Sequence, residues 1–336
     1  MFLFGKDLSS EIVVVAEVGV NHGGSVQWIL DFLPKIKEAG VDAVKFQLFT
    51  PKYHTTKANQ SRFSFLEKVY LSENAFDQIL ESCKQLNLSC FATPVTPDWV
   101  HLISEKCDVI KIASGDFIFQ GISVPSLKTS SKIIASTGGC STEEIADFVE
   151  LSNSIRGEVE CRESVALLHC VSSYPPPLEE SNLKAIPFLN EKTNLTIGFS
   201  SHFLEDAPLY GALALGARIF EIHVTDDRGR DDIRDHALSR TPRELGKINS
   251  NLNSLNKSLK LDEKTVQPSE VASINLMRKG VIFSRDLVKN HILEINDFYF
   301  ARPFNPALPP LRELIGVKLS RDVKAFHPAQ HDDFEL

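Results

Sequence analysis

The stretch that most constrains this chain spans residues 195–239, LTIGFSSHFLEDAPLYGALALGARIFEIHVTDDRGRDDIRDHALS. Residues 195–199 and 218–222 are short β-like runs, and each leads within a few residues to a histidine, His202 or His223. Between them, 205–216 places Leu209, Leu213 and Leu215 at helical spacing and stops at Gly216, a natural helix end. Strand, helix, strand in so short a length is a βαβ unit with parallel strands. In a barrel, such a unit brings both imidazoles to one rim. A lone histidine more often bonds a backbone group. Two at successive strand ends, with Glu221 and Asp235 nearby, suit a divalent ion that keeps open coordination positions.

The same alternation runs back to the start of the chain. Residues 12–17, 42–47, 88–92, 109–113, 132–136 and 165–170 are apolar runs, as strands buried on both faces must be. Helical spacing follows at 26–39, 73–86, 97–106, 124–129, 142–152 and 182–189, and again at 243–259 after the last strand. Ser141 or Thr142 caps 142–152, with glutamates in its first turn. Strand–helix units over about 250 residues have the expected size of a (β/α)8 TIM barrel. A doubly wound open sheet is the competing reading, but it needs a topological switch and usually fewer strands. Polar residues at the end of every strand favour the barrel.

Some stretches fall outside this rhythm. Residues 48–71, rich in Lys, Thr, Ser and Phe, read as a rim loop, and the charged piece 155–163 reads as irregular. Residues 261–275 have no clear period and read as a linker. Beyond them, short strand-like runs between turns indicate a small, mostly β domain of about 60 residues, marginal if alone. The expected division is a barrel at 1–260, a linker at 261–275 and a second domain at 276–336.

A net charge of −8 argues against a nucleic-acid partner, so an anionic substrate needs a local basic pocket. The six cysteines show no CxxC, and several sit in apolar runs, so reduced core thiols are expected. No apolar run reaches about 18 residues and the opening residues lack the pattern of a secretion leader. The expectation is a cytoplasmic protein with no membrane span.

Barrel active sites lie at the carboxyl ends of the strands. Collecting the polar residues there gives Glu17, Lys45, Gln47, Thr93, Lys111, Ser114 and Ser136 from the first five strands. The last three add Ser172, Tyr174, Ser200, His202, Glu221 and His223. Strand alternation turns Lys45 and Gln47 one way together, and likewise Glu221 and His223. Lysine is rarely buried without a partner, so Lys45 in AVKF and Lys111 in VIKIA need anions. A structural pair with Glu17 is one answer for Lys45. A phosphate or carboxylate held by two lysines and several hydroxyls is the other.

These residues sit in ordered motifs: AEVGVNHGG, GVDAVKFQ, KIASGD, ASTGG, LHCVSSYP, IGFSSHF, ALGARIFEIH and RDHALS. With them the chain resembles the sialic acid (N-acetylneuraminate) synthase family, which includes legionaminic and pseudaminic acid synthases. RKGVIFSRDLVKNHIL, FARP and IGVKLSRDVKA resemble that family's carboxyl-terminal antifreeze-like (SAF) domain. The resemblance implies condensation of phosphoenolpyruvate with an N-acetylated amino sugar. It implies that Lys45, Lys111, Thr93, Ser114, Ser136 and Ser200 bind phosphoenolpyruvate, with Ser172 nearby. His202 and His223 would hold Mn2+ or Mg2+. Glu17 would orient the sugar and move protons, and a carboxylate such as Glu221 would favour positive charge developing at C2. Gln47, Tyr174 and Asp235 would line the sugar site. The SAF domain would cap the barrel of a partner protomer in a domain-swapped homodimer, with Arg302 reaching the sugar.

The chain departs from the family pattern at a few points. Ser201 stands where the family usually has Asp, Ile222 where it has a basic residue, and Phe304 where it has Gly. The loop after His223 is longer and more charged. Candidate acceptors are N-acetylmannosamine and di-N-acetylated 6-deoxy sugars. A phosphorylated sugar is the alternative, for which Arg228, Arg230 and Arg234 are the available cations. A silent metabolite-binding barrel is the alternative outside enzymology, though neither Glu17 nor a histidine is missing.

Overall fold

The computed structural model describes residues 1–260, 263–302 and 304–336. Leu261 and Asp262 of the expected linker, and Pro303 of FARP, lie outside the described residues. The chain forms two compact units, Met1–Lys260 and Leu261–Leu336.

In the first unit eight parallel strands close into a barrel. They are β1 Val13–Gly19, β2 Ala43–Leu48, β3 Ser89–Pro94 and β4 Val109–Ile112, then β5 Lys132–Ser136, β6 Val165–His169, β7 Thr196–Ser201 and β8 Ile219–His223. The closing pair, β8 with β1, runs from Ile219 opposite Val13 to His223 opposite Glu17, which rules out an open sheet. Helices alternate with the strands, so this is a (β/α)8 barrel. The β-branched runs explain it: Val13, Val14, Val15, Ile110, Ile133 and Ile219 are all fully buried between barrel interior and helices. Helix starts carry their own signals. Ser141 and Glu144 form a reciprocal cap on Thr142–Arg156, and Thr241 and Glu244 do the same on Pro242–Ser258. No helix among the described residues is long and apolar enough to cross a membrane.

Two expectations are corrected here. Residues 48–71 are not a loop: they contain helices Pro51–His54 and Gln60–Val69. Residues 155–163 are not irregular, since Glu158–Ser164 is helical after Gly157 at φ 81°. Both errors have one physical cause. Gln60–Val69 buries only Leu66 and Val69, and Glu158–Ser164 buries only Cys161 and Ser164. Two buried positions per helix leave too little periodicity to read. The longer of the two, called the rim helix below, is tied down at Gly24. Its φ is +86°, and a Cβ there would lie 2.0 Å from the carbonyl oxygen of Lys68.

The second unit has an antiparallel pair, β9 Gly280–Phe283 with β10 Phe298–Ala301, and a small core around Phe283, Leu293, Leu314 and Leu319. Helix Val271–Met277 begins inside the stretch read as a linker. Two similar halves build this core. Arg285 pairs with buried Asp297 at 2.7 Å, and Arg321 pairs with buried Asp333 at 2.6 Å. Asp286 accepts from the backbone of Ala325 and Asp322 from that of Lys289, so each half caps the other. The repeated Ser-Arg-Asp at 284–286 and 320–322 carries this symmetry in the sequence.

Candidate active site

A cavity of about 710 Å³ opens at the carboxyl ends of the barrel strands. Glu17, Lys45, Gln47, Thr93, Lys111, Ser114 and Ser136 line it, as do Ser172, Tyr174, Ser200, His202, Glu221, His223 and Asp235. Every candidate from the first unit is thus in one place. Arg302 is not among them: it is an exposed residue of the second unit, whose Nε donates to the carbonyl of Met277 at 3.2 Å.

Barrel closure sets the charges. Glu17 pairs in register with Lys45 on one side and His223 on the other, and Glu221 pairs with Ser200. Lys45 Nζ therefore sits between two carboxylates, 3.2 Å from Glu17 Oε2 and 3.3 Å from Glu221 Oε2. It also donates to Thr93 Oγ1 at 3.1 Å. Lys111 Nζ donates to Ser136 Oγ at 2.6 Å and lies 3.9 Å from Glu221. The pairing of Lys45 with Glu17 is real, yet both groups still line the cavity. The two readings of Lys45 are compatible.

The shared lysine separates the two acids. Burial raises the Glu17 carboxyl to about 7, although Lys45 pulls it down. Burial also works against ionised Glu221, but Lys111 and Lys45 together overcome it and hold that carboxyl low. Two carboxylates with such different acidities can serve as a proton carrier and a fixed charge. Gln47 Nε2 donates to Glu17 Oε1 at 3.0 Å, and Ser200 Oγ donates to Glu221 Oε1 at 3.0 Å, so both are oriented.

Near these groups, Ser114, Ser172 and Cys170 converge on Gly138. A Cβ at Gly138 would lie 2.3 Å from Ser172 Oγ, 2.8 Å from Cys170 Sγ and 2.9 Å from Ser114 Oγ. Only glycine leaves this corner open. With Lys111 and Ser136 it makes a small cradle of hydroxyls and cations suited to an oxyanion. Sequence reading passed over Gly138, although the ASTGG motif contained it.

The histidines form the other half. Their ring centroids are 5.3 Å apart, and Tyr174 stacks on His202 at 4.0 Å. Burial keeps both neutral: His202 is lowered to about 4 and His223 is lowered as well. His202 Nδ1 lies 2.9 Å from the Val171 carbonyl, so Nδ1 carries the proton and Nε2 keeps its lone pair. His223 Nδ1 is buried with no hydrogen-bond partner and lies 3.9 Å from Asp235 Oδ2. No group of three or more His, Cys, Asp or Glu side chains among the described residues is arranged to enclose an ion. Two neutral imidazoles with an unsatisfied nitrogen instead fit an ion that keeps positions open for substrate.

The rim supplies residues that sequence reading missed. Arg62, Phe65 and Leu66 of the rim helix line the cavity, with His54 and Phe49. Of the three loop arginines, only Arg234 reaches the cavity, lying 4.9 Å over the Tyr174 ring. Arg228 is paired with Glu244, and Arg230 with Asp226 and Asp232. Ile222 is buried, as strand alternation requires. Ser201 Oγ is buried without a hydrogen-bond partner.

The family model described as the NeuB family matches residues 32–264. The chain belongs to the NeuB family. A protein of Methanocaldococcus jannaschii without an assigned function is 32% identical over 86% of this chain and 84% of its own length. The N,N'-diacetyllegionaminic acid synthase of Campylobacter jejuni is 29% identical over 87% of this chain and 91% of its own. The crystal structure of N-acetylneuraminic acid (sialic acid) synthetase from Leptospira borgpetersenii, in complex with citrate, superposes with a TM-score of 0.73 at 28% identity, covering 79% of this chain and 91% of that one. This NeuB-family chain is an enzyme of the synthase class to which these named relatives belong.

Proposed function

We propose that this NeuB-family enzyme condenses phosphoenolpyruvate with an N-acetylated amino sugar, giving a nine-carbon nonulosonic acid and phosphate. One observation carries the reading. A single cavity joins an oxyanion cradle of two lysines and several hydroxyls to a pair of neutral imidazoles. In this reading Lys45, Lys111, Thr93, Ser136 and Ser200 hold the carboxylate and phosphate of phosphoenolpyruvate, with Ser114 and Ser172 at the open corner left by Gly138. Glu221 stays ionised and stabilises positive charge developing at C2. Glu17, with a carboxyl near neutrality, moves a proton at the sugar side. Gln47, Tyr174 and Asp235 line that side. His202 and His223 would hold Mn2+ or Mg2+. Such an ion supplies Lewis acidity toward the sugar aldehyde oxygen and an activated water. The deciding experiment is phosphate release from phosphoenolpyruvate across a panel of acceptor sugars, with and without chelator. Release that needs an amino sugar supports the reading, and release with none of them refutes it.

The second unit fits the reading as an SAF cap delivered by a partner protomer, with Arg302 acting in trans. Mixing two inactive variants, Glu17→Gln and Arg302→Ala, tests this. In trans, each mixed dimer holds one intact site, so about a quarter of all sites recover under two-fold symmetry. In cis, mixing restores nothing. The six cysteines are free thiols. For a phosphorylated acceptor, Arg228 and Arg230 are already engaged by carboxylates, which leaves Arg234 at the cavity as the available cation of the three.

A further inference from the structure

Resting on that reading, we infer that Cys170 is a positioning residue for the oxyanion cradle. Its S–H donates to Ser114 Oγ and leaves the Ser114 hydroxyl proton free for the substrate anion. Cys170 directly follows β6, is buried, and still lines the cavity. The reaction steps above give this thiol no part. Its Sγ lies 3.2 Å from Ser114 Oγ, the side chain's only hydrogen-bond partner among the described residues. Ser114 Oγ has one further neighbour, the backbone N–H of Gly138, which donates to it at 3.1 Å. Gly138 lies against both groups: a Cβ there would meet Cys170 Sγ and Ser114 Oγ within 3 Å. Ser114, Gly138 and Cys170 follow three neighbouring strands, β4, β5 and β6, so barrel pairing brings them to one hydroxyl.

Counting donors and acceptors shows what this meeting does. A serine hydroxyl has one proton and two lone pairs. The Gly138 N–H takes one lone pair. When Cys170 donates as well, both lone pairs are used, and the single proton is left for the cavity that Ser114 lines. The hydroxyl is then a pure donor, which is what a phosphate or carboxylate oxygen requires. In the opposite arrangement Ser114 donates to sulfur, a weak acceptor, and turns a lone pair toward the anion. A hydroxyl bond to an oxyanion is charge-assisted and stronger than one to sulfur, so a bound anion selects the first arrangement. Burial holds the Cys170 thiol above its ordinary range, outweighing the pull of Ser114 and Lys111 in the other direction. The sulfur therefore keeps the proton that it has to share. A thiol held in that form is a poor nucleophile, which fits a positioning role and not a covalent one.

The test is calorimetric binding of phosphoenolpyruvate to the full-length protein, which reads the cradle without turnover. Cys170→Ala removes the donor, and Kd should rise about 2- to 10-fold, the usual worth of one neutral hydrogen bond. Cys170→Ser keeps a donor at the same place and should bind as the native protein does. In a Ser114→Ala background, Cys170→Ala should add nothing, because the thiol acts through that hydroxyl. An unchanged Kd in Cys170→Ala, a Cys170→Ser protein as weak as the alanine variant, or additive losses in the double variant each overturn this inference and leave the reaction class standing. If circular dichroism shows that Cys170→Ala does not fold, the serine variant decides: a native-like Kd supports the inference, and a rise of about 10-fold overturns it. A native protein that does not bind phosphoenolpyruvate overturns both the inference and the reaction it rests on.

Discussion

Around the two lysines, the polar groups of the cavity are mostly satisfied by one another. Lys45 touches Glu17, Glu221 and Thr93, and Lys111 touches Ser136. These groups stand on or next to strands, and strand pairing fixes their spacing. At the histidines and the rim the arrangement is looser. His223 Nδ1 has no partner, and Arg62 and Arg234 rest on aromatic rings. Much of that side comes from the rim helix and loops. The difference teaches a division of labour. Pre-paired charge on strands suits a substrate that is the same in every turnover. Unpaired donors and apolar surface on loops suit an acceptor that differs between related enzymes, because loops change with least cost to the fold.

The largest effect should follow from breaking the loosely held side at its centre. His202→Ala removes one of the two neutral imidazoles, and turnover should vanish while the circular dichroism spectrum stays that of the native enzyme. Full activity in excess chelator would show that the histidines hold no ion. Next comes the residue where the two sides meet. Glu17→Gln keeps size and hydrogen bonding but removes the proton carrier, so kcat should fall by about 10²–10⁴-fold. Because burial raises this carboxyl to about 7, its ionised form appears only as pH rises through that region. The native rate should therefore climb with pH near neutrality, and the glutamine variant should lose that limb. A weaker affinity for phosphoenolpyruvate with unchanged kcat would place Glu17 among the ground-state contacts instead.

The division also explains what could be read from the sequence. Strands announce themselves as β-branched runs, and the polar residue that ends each run is visible at once. That is why Glu17, Lys45, Lys111, His202 and Glu221 are legible in the sequence itself. What strand reading misses is contact across the closed barrel: Lys45 is flanked by Glu221 as well as Glu17 only because the last strand returns to the first. The rim helix was illegible for another reason. It buries only two of its residues, so its pattern resembles a polar loop, and Arg62 and Phe65 stayed hidden with it. Gly138 was in plain view, but a glycine's importance lies in what crowds it, and that is a three-dimensional fact.

Two glycines give the sharpest separation of the sides. Gly138→Ala pushes a methyl into the corner between Ser114, Cys170 and Ser172, each within 3 Å of the new atom. At least one hydroxyl must leave the cradle. Losing one hydrogen bond to a charged ligand costs about 10- to 100-fold in affinity, so KM for phosphoenolpyruvate should rise by that order. KM for the acceptor should hold. Gly24→Ala acts on the opposite wall and more weakly. Its φ of +86° is unfavourable for alanine, and the Cβ would lie 2.0 Å from the backbone oxygen of Lys68. Backbone cannot rotate away as a side-chain tip can, so the carboxyl end of the rim helix must shift. Its amino-terminal part, where Asn59 caps the helix through Arg62 N–H, keeps its own anchor. The wall at Phe65 and Leu66 should therefore tilt rather than detach. The expected result is a few-fold rise in acceptor KM and a lower melting temperature, with phosphoenolpyruvate KM unchanged. If Gly24→Ala instead weakens phosphoenolpyruvate and spares the acceptor, the rim helix serves the charged side, and the cavity does not divide where the pairing of its polar groups says it does.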